Sequence, residues 1–185
     1  MAEQNNLRDR EIQARKPIPS KYFNEDKHVH PASVLISKPI EQVWAFLRDM
    51  NNMPKFIRGL KSVDVIDSKR SHWTFEYQGE RHENDSEIIA EEMPSLLVWQ
   101  AVGEKKQVGA VTLERAPGGR GTFVSMRTST DREKGKVSGV LAWYLGGDPK
   151  TASYINLRRL KAYMETGEVP TVEGQPNGRE QEIKH

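Results

Sequence analysis

The stretch DPKTASYINLRRLKAYMETG, residues 148–167, carries the pattern on which the reading of the whole chain turns. Asp148 is placed to cap the first free N–H groups of a helix, and Pro149 stands at its first position with φ already set. Gly167, just after Glu165 and Thr166, can stop the helix by taking the left-handed conformation. Between them Ser153, Leu157, Leu160 and Met164 recur at helical spacing as one narrow face, while Arg158, Arg159 and Lys161 fall elsewhere. A long helix with a single apolar stripe needs a surface to lie on, and the residues upstream supply one.

Six runs of strand character precede it: LKSVDVID, SHWTFEYQ, HENDSEIIAEE, SLLVWQAV, QVGAVTLER and GTFVSMRTST. The breaks between them carry turn chemistry at Ser68-Lys69, Gly79-Glu80, Met93-Pro94, Gly103-Glu104 and Pro117-Gly118-Gly119. Connections this short make antiparallel hairpins, because a parallel pair needs a crossover of about a dozen residues. Further upstream SVLIS reads as a short strand through Val34 and Ile36, and Lys38-Pro39 opens a helix through Ile40, Val43, Trp44 and Phe46-Leu47. Asp49 to Pro54 interrupts that helix, and Lys55 to Gly59 allows one more turn. The chain thus reads as α+β: a strand, two short helices, six further strands and a long C-terminal helix.

Register follows from asking which pairing gathers similar residues on one face. With a two-residue turn at Gly79-Glu80, Tyr77 faces His82, Phe75 faces Asn84 and Trp73 faces Ser86. The opposite face then collects His72, Thr74, Glu76, Glu83, Asp85 and Glu87 and is predicted to meet solvent. A three-residue loop at Glu104–Lys106 pairs Trp99 with Val111 and Leu97 with Leu113, and the next hairpin sets Val124 opposite Leu113 and Met126 opposite Val111. The predicted concave face is therefore Trp73, Phe75, Leu97, Trp99, Val111, Leu113, Val124 and Met126. Val137, Val140, Leu141, Tyr144 and Leu145 form a further helical stripe, with Trp143 off it, which reads as core or as a gate or docking surface.

At SVLISKPIEQVWAFLRD, SHW, LLVWQAVG, VGAVTLERAPGGRGTFV and LGGDP…LRRLKAYMETGEVPT the chain resembles the polyketide cyclase/dehydrase-like branch of the START, or SRPBCC, superfamily. The resemblance covers most of residues 33 to 171 and implies the helix-grip fold, a seven-stranded curved antiparallel sheet wrapped around the C-terminal helix. It also implies a cavity between sheet and helix, and relatives that bind lipids, quinones, sterols or polyketides, some of them as cyclases or dehydratases. At Asn84 this sequence departs from the large aromatic expected of relatives, which with Ser86 beside it predicts a roomier and more polar cavity. Trp73, Phe75, Asn84, Ser86, Leu97, Trp99, Val111, Leu113, Val124, Met126, Tyr144, Leu157 and Leu160 are the expected ligand contacts.

Composition narrows the alternatives. A chain of 185 residues suits one domain, divided here into an arm (1–28), a ligand-binding domain (29–167) and a tail (168–185), both ends being charged and poor in large apolar groups. The net charge is +2 with both signs interspersed, so the pI of 8.8 does not describe a nucleic-acid surface. There is no cysteine, which removes disulfides, thiol nucleophiles and thiolate metal sites. No apolar run approaches the roughly 18 residues of a membrane span, and the polar N-terminal sequence gives no signal core, so a cytoplasmic protein is the expectation.

The chemistry-bearing residues are few. No nucleophile elbow frames a serine, and Ala116–Gly121 joins two strands without the lysine and following helix of a phosphate loop. His28 and His30 have no evident third metal ligand, and His72 and His82 face opposite sides of the sheet. Neither a metal nor a cofactor is expected. The inward polar groups are Tyr77, His82, Asn84, Arg115 and Thr128. An aldol-type cyclisation or dehydration, the chemistry of the relatives, would use His82 as base and Tyr77 or Arg115 as donor. The leading expectation is a carrier or binder of a hydrophobic small molecule, with the cyclase/dehydratase and a peripheral membrane or partner contact through residues 137–145 as alternatives.

Overall fold

The computed structural model describes residues 18–23, 32–77, 79–103, 107–130 and 149–170. Strand β1 (Ala32–Ile36) leads into helix α1 (Ile40–Arg48), a 3-10 turn at Met50–Asn52 and the short α2 (Met53–Phe56). Strands β2 (Leu60–Val65), β3 (Arg70–Tyr77), β4 (Glu80–Glu92), β5 (Leu96–Val102), β6 (Gln107–Arg115) and β7 (Thr122–Thr130) follow, and then α3 (Pro149–Thr166). The seven strands form one antiparallel sheet in the order β1-β7-β6-β5-β4-β3-β2, so the first strand returns beside the last. This is the helix-grip architecture.

Among the described residues the helices form where the periodicity places them. In α1 the buried residues are Ile40, Val43, Trp44 and Leu47. Phe46 flanks that stripe and leans on Phe56 and Tyr163, with ring centroids 6.3 and 5.4 Å away. Helix α3 ends as predicted: Gly167 has φ 82° and its N–H donates to the Tyr163 carbonyl at 2.8 Å. Asp148, the expected N-cap, lies outside the described residues. Leu157 and Leu160 are fully buried, each contributing about 1.5–3 kcal/mol of apolar transfer.

Residues off the apolar stripe orient α3. Lys161 Nζ donates to the Leu35 carbonyl (2.6 Å) and to Glu165 Oε1 (2.7 Å), and that oxygen also accepts the Ser37 N–H at 2.7 Å. Burial pushes the Glu165 carboxyl up, but the bonds from Lys161 and Ser37 and the lysine charge outweigh it and hold the group below its ordinary value. On the opposite flank Asn156 Oδ1 accepts the Arg58 N–H (3.0 Å), and Arg159 Nε donates to the Phe56 carbonyl (2.9 Å). The last turns of α3 are thereby tied to β1, and its middle to α2 and the residues just after it.

Two hairpins differ in register from the expectation, each by two residues. Trp73 pairs with Asn84, Phe75 with His82 and Tyr77 with Glu80, so the β3–β4 turn lies one residue earlier than Gly79-Glu80. Leu97 pairs with Val111 and Trp99 with Gly109. In the second case side-chain volume decides: a Cβ built on Gly109 would fall inside the Trp99 indole, so only glycine can stand beneath that ring. The β6–β7 hairpin has the expected pairs Leu113 with Val124 and Val111 with Met126. Because side chains alternate with period two, a slip of two leaves every inward residue inward. A bulge between Ile88 and Ala90 then switches the faces of β4.

On the outer face His72 Nδ1 lies 2.7 Å from Asp85 Oδ1, in the row predicted to meet solvent, although Thr74 of that row is buried. The same convex face carries a second apolar cluster of Leu96, Val98 and Ala110. Phe23, 5% exposed, packs into it with Ile18 and Tyr22 beside it, and the Arg127 guanidinium lies 4.2 Å from the Phe23 ring centre. Sequence reasoning assigned residues 18–23 to the arm; the structure sets them against the sheet. Residues 1–17, 24–31 and 171–185 lie outside the described residues. Among those described, no helix is long and apolar enough to cross a membrane.

Candidate functional site

Alternation along the strands turns Trp73, Phe75, Leu97, Val111, Leu113, Val124 and Met126 toward α3, where Leu157 and Leu160 meet them. None of the nine is more than 2% exposed, and all belong to one apolar cluster with Val34, Ile36, Trp44 and Phe56. Among the described residues, the half-buried side chains of the concave face gather toward one end, the end holding the β3–β4 turn. Trp99, Asn84, His82 and Thr128 are half-buried there, Ser86 is buried, and Ala101 pairs with Ser86. Ser71, opposite Ser86, accepts the Trp73 indole N–H at 2.8 Å.

The N-terminal half of α3 roofs this end. Thr128, which pairs with Gly109 across the sheet, places its hydroxyl 3.2 Å from the Ser153 hydroxyl. The row Ile88–Trp99–Gly109–Thr128 therefore runs from β4 to the helix, with a bulky indole on a residue that has no side chain. Beside it Asn84 offers an amide whose nitrogen bonds to the Asp85 carbonyl at 3.3 Å. The arrangement is an apolar floor with a few polar groups at its less buried margin, as small-molecule sites generally are.

The expected catalytic group is not assembled as a unit. His82 is on the concave side, 3.4 Å from the Glu80 carboxylate, and Tyr77 is the last residue of β3, opposite Glu80. Arg115 is at the other end of the sheet, exposed and paired with Glu41 of α1. Successive turns of a meander alternate between ends, so the last residue of β6 is separated from His82 by on the order of ten residues of strand, or roughly 30 Å. Arg115 therefore cannot be the donor that serves a His82 base. Tyr144, Trp143 and the 137–145 segment lie outside the described residues, as do His28 and His30. Among the described residues no group of His, Asp and Glu could hold a metal ion.

Sequence reasoning missed Gly109, Asn156, Arg58 and Arg159. Asn156 was recoverable, because it lies three residues after Ser153 and four before Leu160 and so borders the buried stripe. Gly109 depends on Trp99 across a hairpin, and Arg58 and Arg159 on partners 98 and 103 residues away.

Comparison with known proteins agrees with this geometry. A family model described as polyketide cyclase / dehydrase and lipid transport matches residues 36–135. A comparison with curated proteins finds no match. A Deinococcus radiodurans protein of known structure is 29% identical, with 75% of this chain and 98% of that one covered and a TM-score of 0.58. A conserved protein from Geobacillus kaustophilus shares the fold at 19% identity, 74% and 94% coverage and a TM-score of 0.60. The di-domain ARO/CYC StfQ from the steffimycin biosynthetic pathway shares it at 13% identity and a TM-score of 0.57, with 74% of this chain spanning 50% of that one.

Proposed function

We propose that this chain, which belongs to the polyketide cyclase/dehydrase and lipid transport family, binds a hydrophobic small molecule between the less buried end of its sheet and the N-terminal half of α3. The observation that carries the reading is Trp99: a half-buried indole seated on Gly109, at the margin of an otherwise closed apolar core. The part of the indole left in water costs solvation that a flat or branched apolar ligand would recover, at about 25 cal/mol per Å² of apolar surface removed from water. Asn84 and Ser86 supply the polar groups that orient such a ligand. A lipid, quinone or polyketide-like compound fits this description.

The test is native mass spectrometry and solvent extraction of the purified protein, followed by a thermal-shift panel of lipids and quinones. Binding is expected to quench tryptophan emission, and the quench should shrink in Trp99→Phe. A protein that carries no apolar adduct and shifts with no member of the panel would overturn the reading.

A second reading, cyclisation or dehydration of a polyketide-like carbonyl substrate, is favoured by one observation. His82 shares the concave strip with Asn84 and Trp99 and stands at its less buried end. In that reading His82 takes the α-proton and Tyr77 polarises the carbonyl. Turnover of a linear poly-β-ketone that persists in His82→Ala/Tyr77→Phe would remove it.

A further inference from the structure

Arg58 and Arg159 converge on the seam between α2 and α3. Asn156 holds the Arg58 backbone N–H at 3.0 Å, and Arg159 is fixed by the 2.9 Å bond from its Nε to the Phe56 carbonyl. Lys55 borders the same seam, its ammonium 5.5 Å from the Tyr163 ring centre. Four other arginines hold carboxylates, Arg48 with Glu91, Arg70 with Asp67, Arg81 with Glu83 and Arg115 with Glu41, while Arg120 donates to the Pro117 carbonyl and Arg127 and Arg158 lie over the Phe23 and Tyr154 rings. Among the described residues, Arg58, Arg159 and Lys55 have no acidic partner. Arg159 is half-buried, and burial first, then the Arg58 charge, pushes its guanidinium below the ordinary arginine value. Like charges gathered at a partly desolvated place are stabilised by an anion, and a guanidinium pair presents the forked donors that a carboxylate or phosphate accepts.

The seam is at the same end of the sheet as Trp99 and Thr128. Leu60 pairs with Phe75 and the Gly59 carbonyl accepts the Glu76 N–H, which sets Arg58 at the end of the sheet that holds the β3–β4 turn, the end where His82 lies across β3 on β4. We infer that Arg58 and Arg159 take the anionic end, carboxylate or phosphate, of an amphipathic ligand whose apolar body lies against Trp99 beneath α3. The inference rests on the binding reading above and narrows its ligand to an acidic amphiphile.

The experiment compares cis-parinaric acid with its methyl ester, read by energy transfer from tryptophan, with oleoyl lysophosphatidic acid as competitor. The acid is expected to bind roughly tenfold more tightly than the ester, a margin that shrinks in high salt. Arg58→Gln, at an exposed position, should cut the margin, and Arg58→Gln/Arg159→Gln should abolish it while ester binding persists. Competition by the lysophosphatidic acid that fails in the double variant assigns the phosphate to the same pair, and competition that survives assigns the pair to carboxylates alone. Equal binding of acid and ester by the wild type, or an acid preference untouched by the double variant, overturns this inference and leaves the binding reading standing. Binding of neither probe overturns both.

Discussion

The indole of Trp99 lies on Gly109, so closely that a single methyl group at position 109 would occupy the ring's own space. Replacing an ordinary strand glycine with alanine usually stabilises a protein, but here the sign reverses. Gly109→Ala must move the ring, at a cost of about 1–3 kcal/mol, the range for overpacked sites. Chemical denaturation should report that loss, together with red-shifted tryptophan emission and weakened ligand binding.

The grip of α3 depends on two leucines that reach the sheet. Leu157 and Leu160 are both wholly buried in the main apolar cluster. Leu157→Ala should cost about 2–5 kcal/mol, by lost transfer energy plus the cavity left behind. Urea denaturation would show this as a lower midpoint with an unchanged slope.

Phe23 covers the other side of the sheet, and its loss should have a different signature. Phe23→Ala is expected to cost about 1–2 kcal/mol and to expose the outer face locally without loosening the inner core. Hydrogen exchange should therefore accelerate at Val98 and Ala110, while protection at Leu113 and Val124 stays as in the wild type.

Glu165 gives the protein an acid-sensitive clasp. Its carboxyl is held below the ordinary value of 4.5, so the clasp is fully formed above that pH and is lost as pH falls through the lower folded-state value. Glu165→Gln should be less stable than the wild type at neutral pH, and the difference should narrow as pH falls through and below 4.5. Urea midpoints measured across that range would reveal the convergence, and parallel curves would contradict the assignment.

Much of this was legible in the residues. Helix boundaries were marked by Pro39, Pro149 and Gly167, and inward faces by the alternation of Trp73 and Phe75 or Val124 and Met126. Local chemistry carries those signals, since a capping glycine or an alternating strand acts within its own few residues. The register of two hairpins was not legible, because counting turn residues cannot distinguish pairings that differ by two and keep the same faces. The Trp99–Gly109 contact settles one of them, and those residues are ten apart in the chain.

The candidate site divides in the same way. Trp99, Asn84 and His82 could be placed on the concave face from periodicity alone. Arg115 shares that parity, yet it sits at the far end and pairs with Glu41, because parity says which face a residue is on and nothing of how far along the strand it lies. Arg58, Asn156 and Arg159 carry no pattern, and their meeting was created by α3 crossing α2. By itself the sequence determined the order of elements, the antiparallel sheet and the identity of its apolar face, because propensity, capping and side-chain period are properties of neighbours. The tertiary structure alone decided strand register, the seating of residues 18–23 and the company kept by each charged group, because those depend on distances between segments that no local pattern encodes.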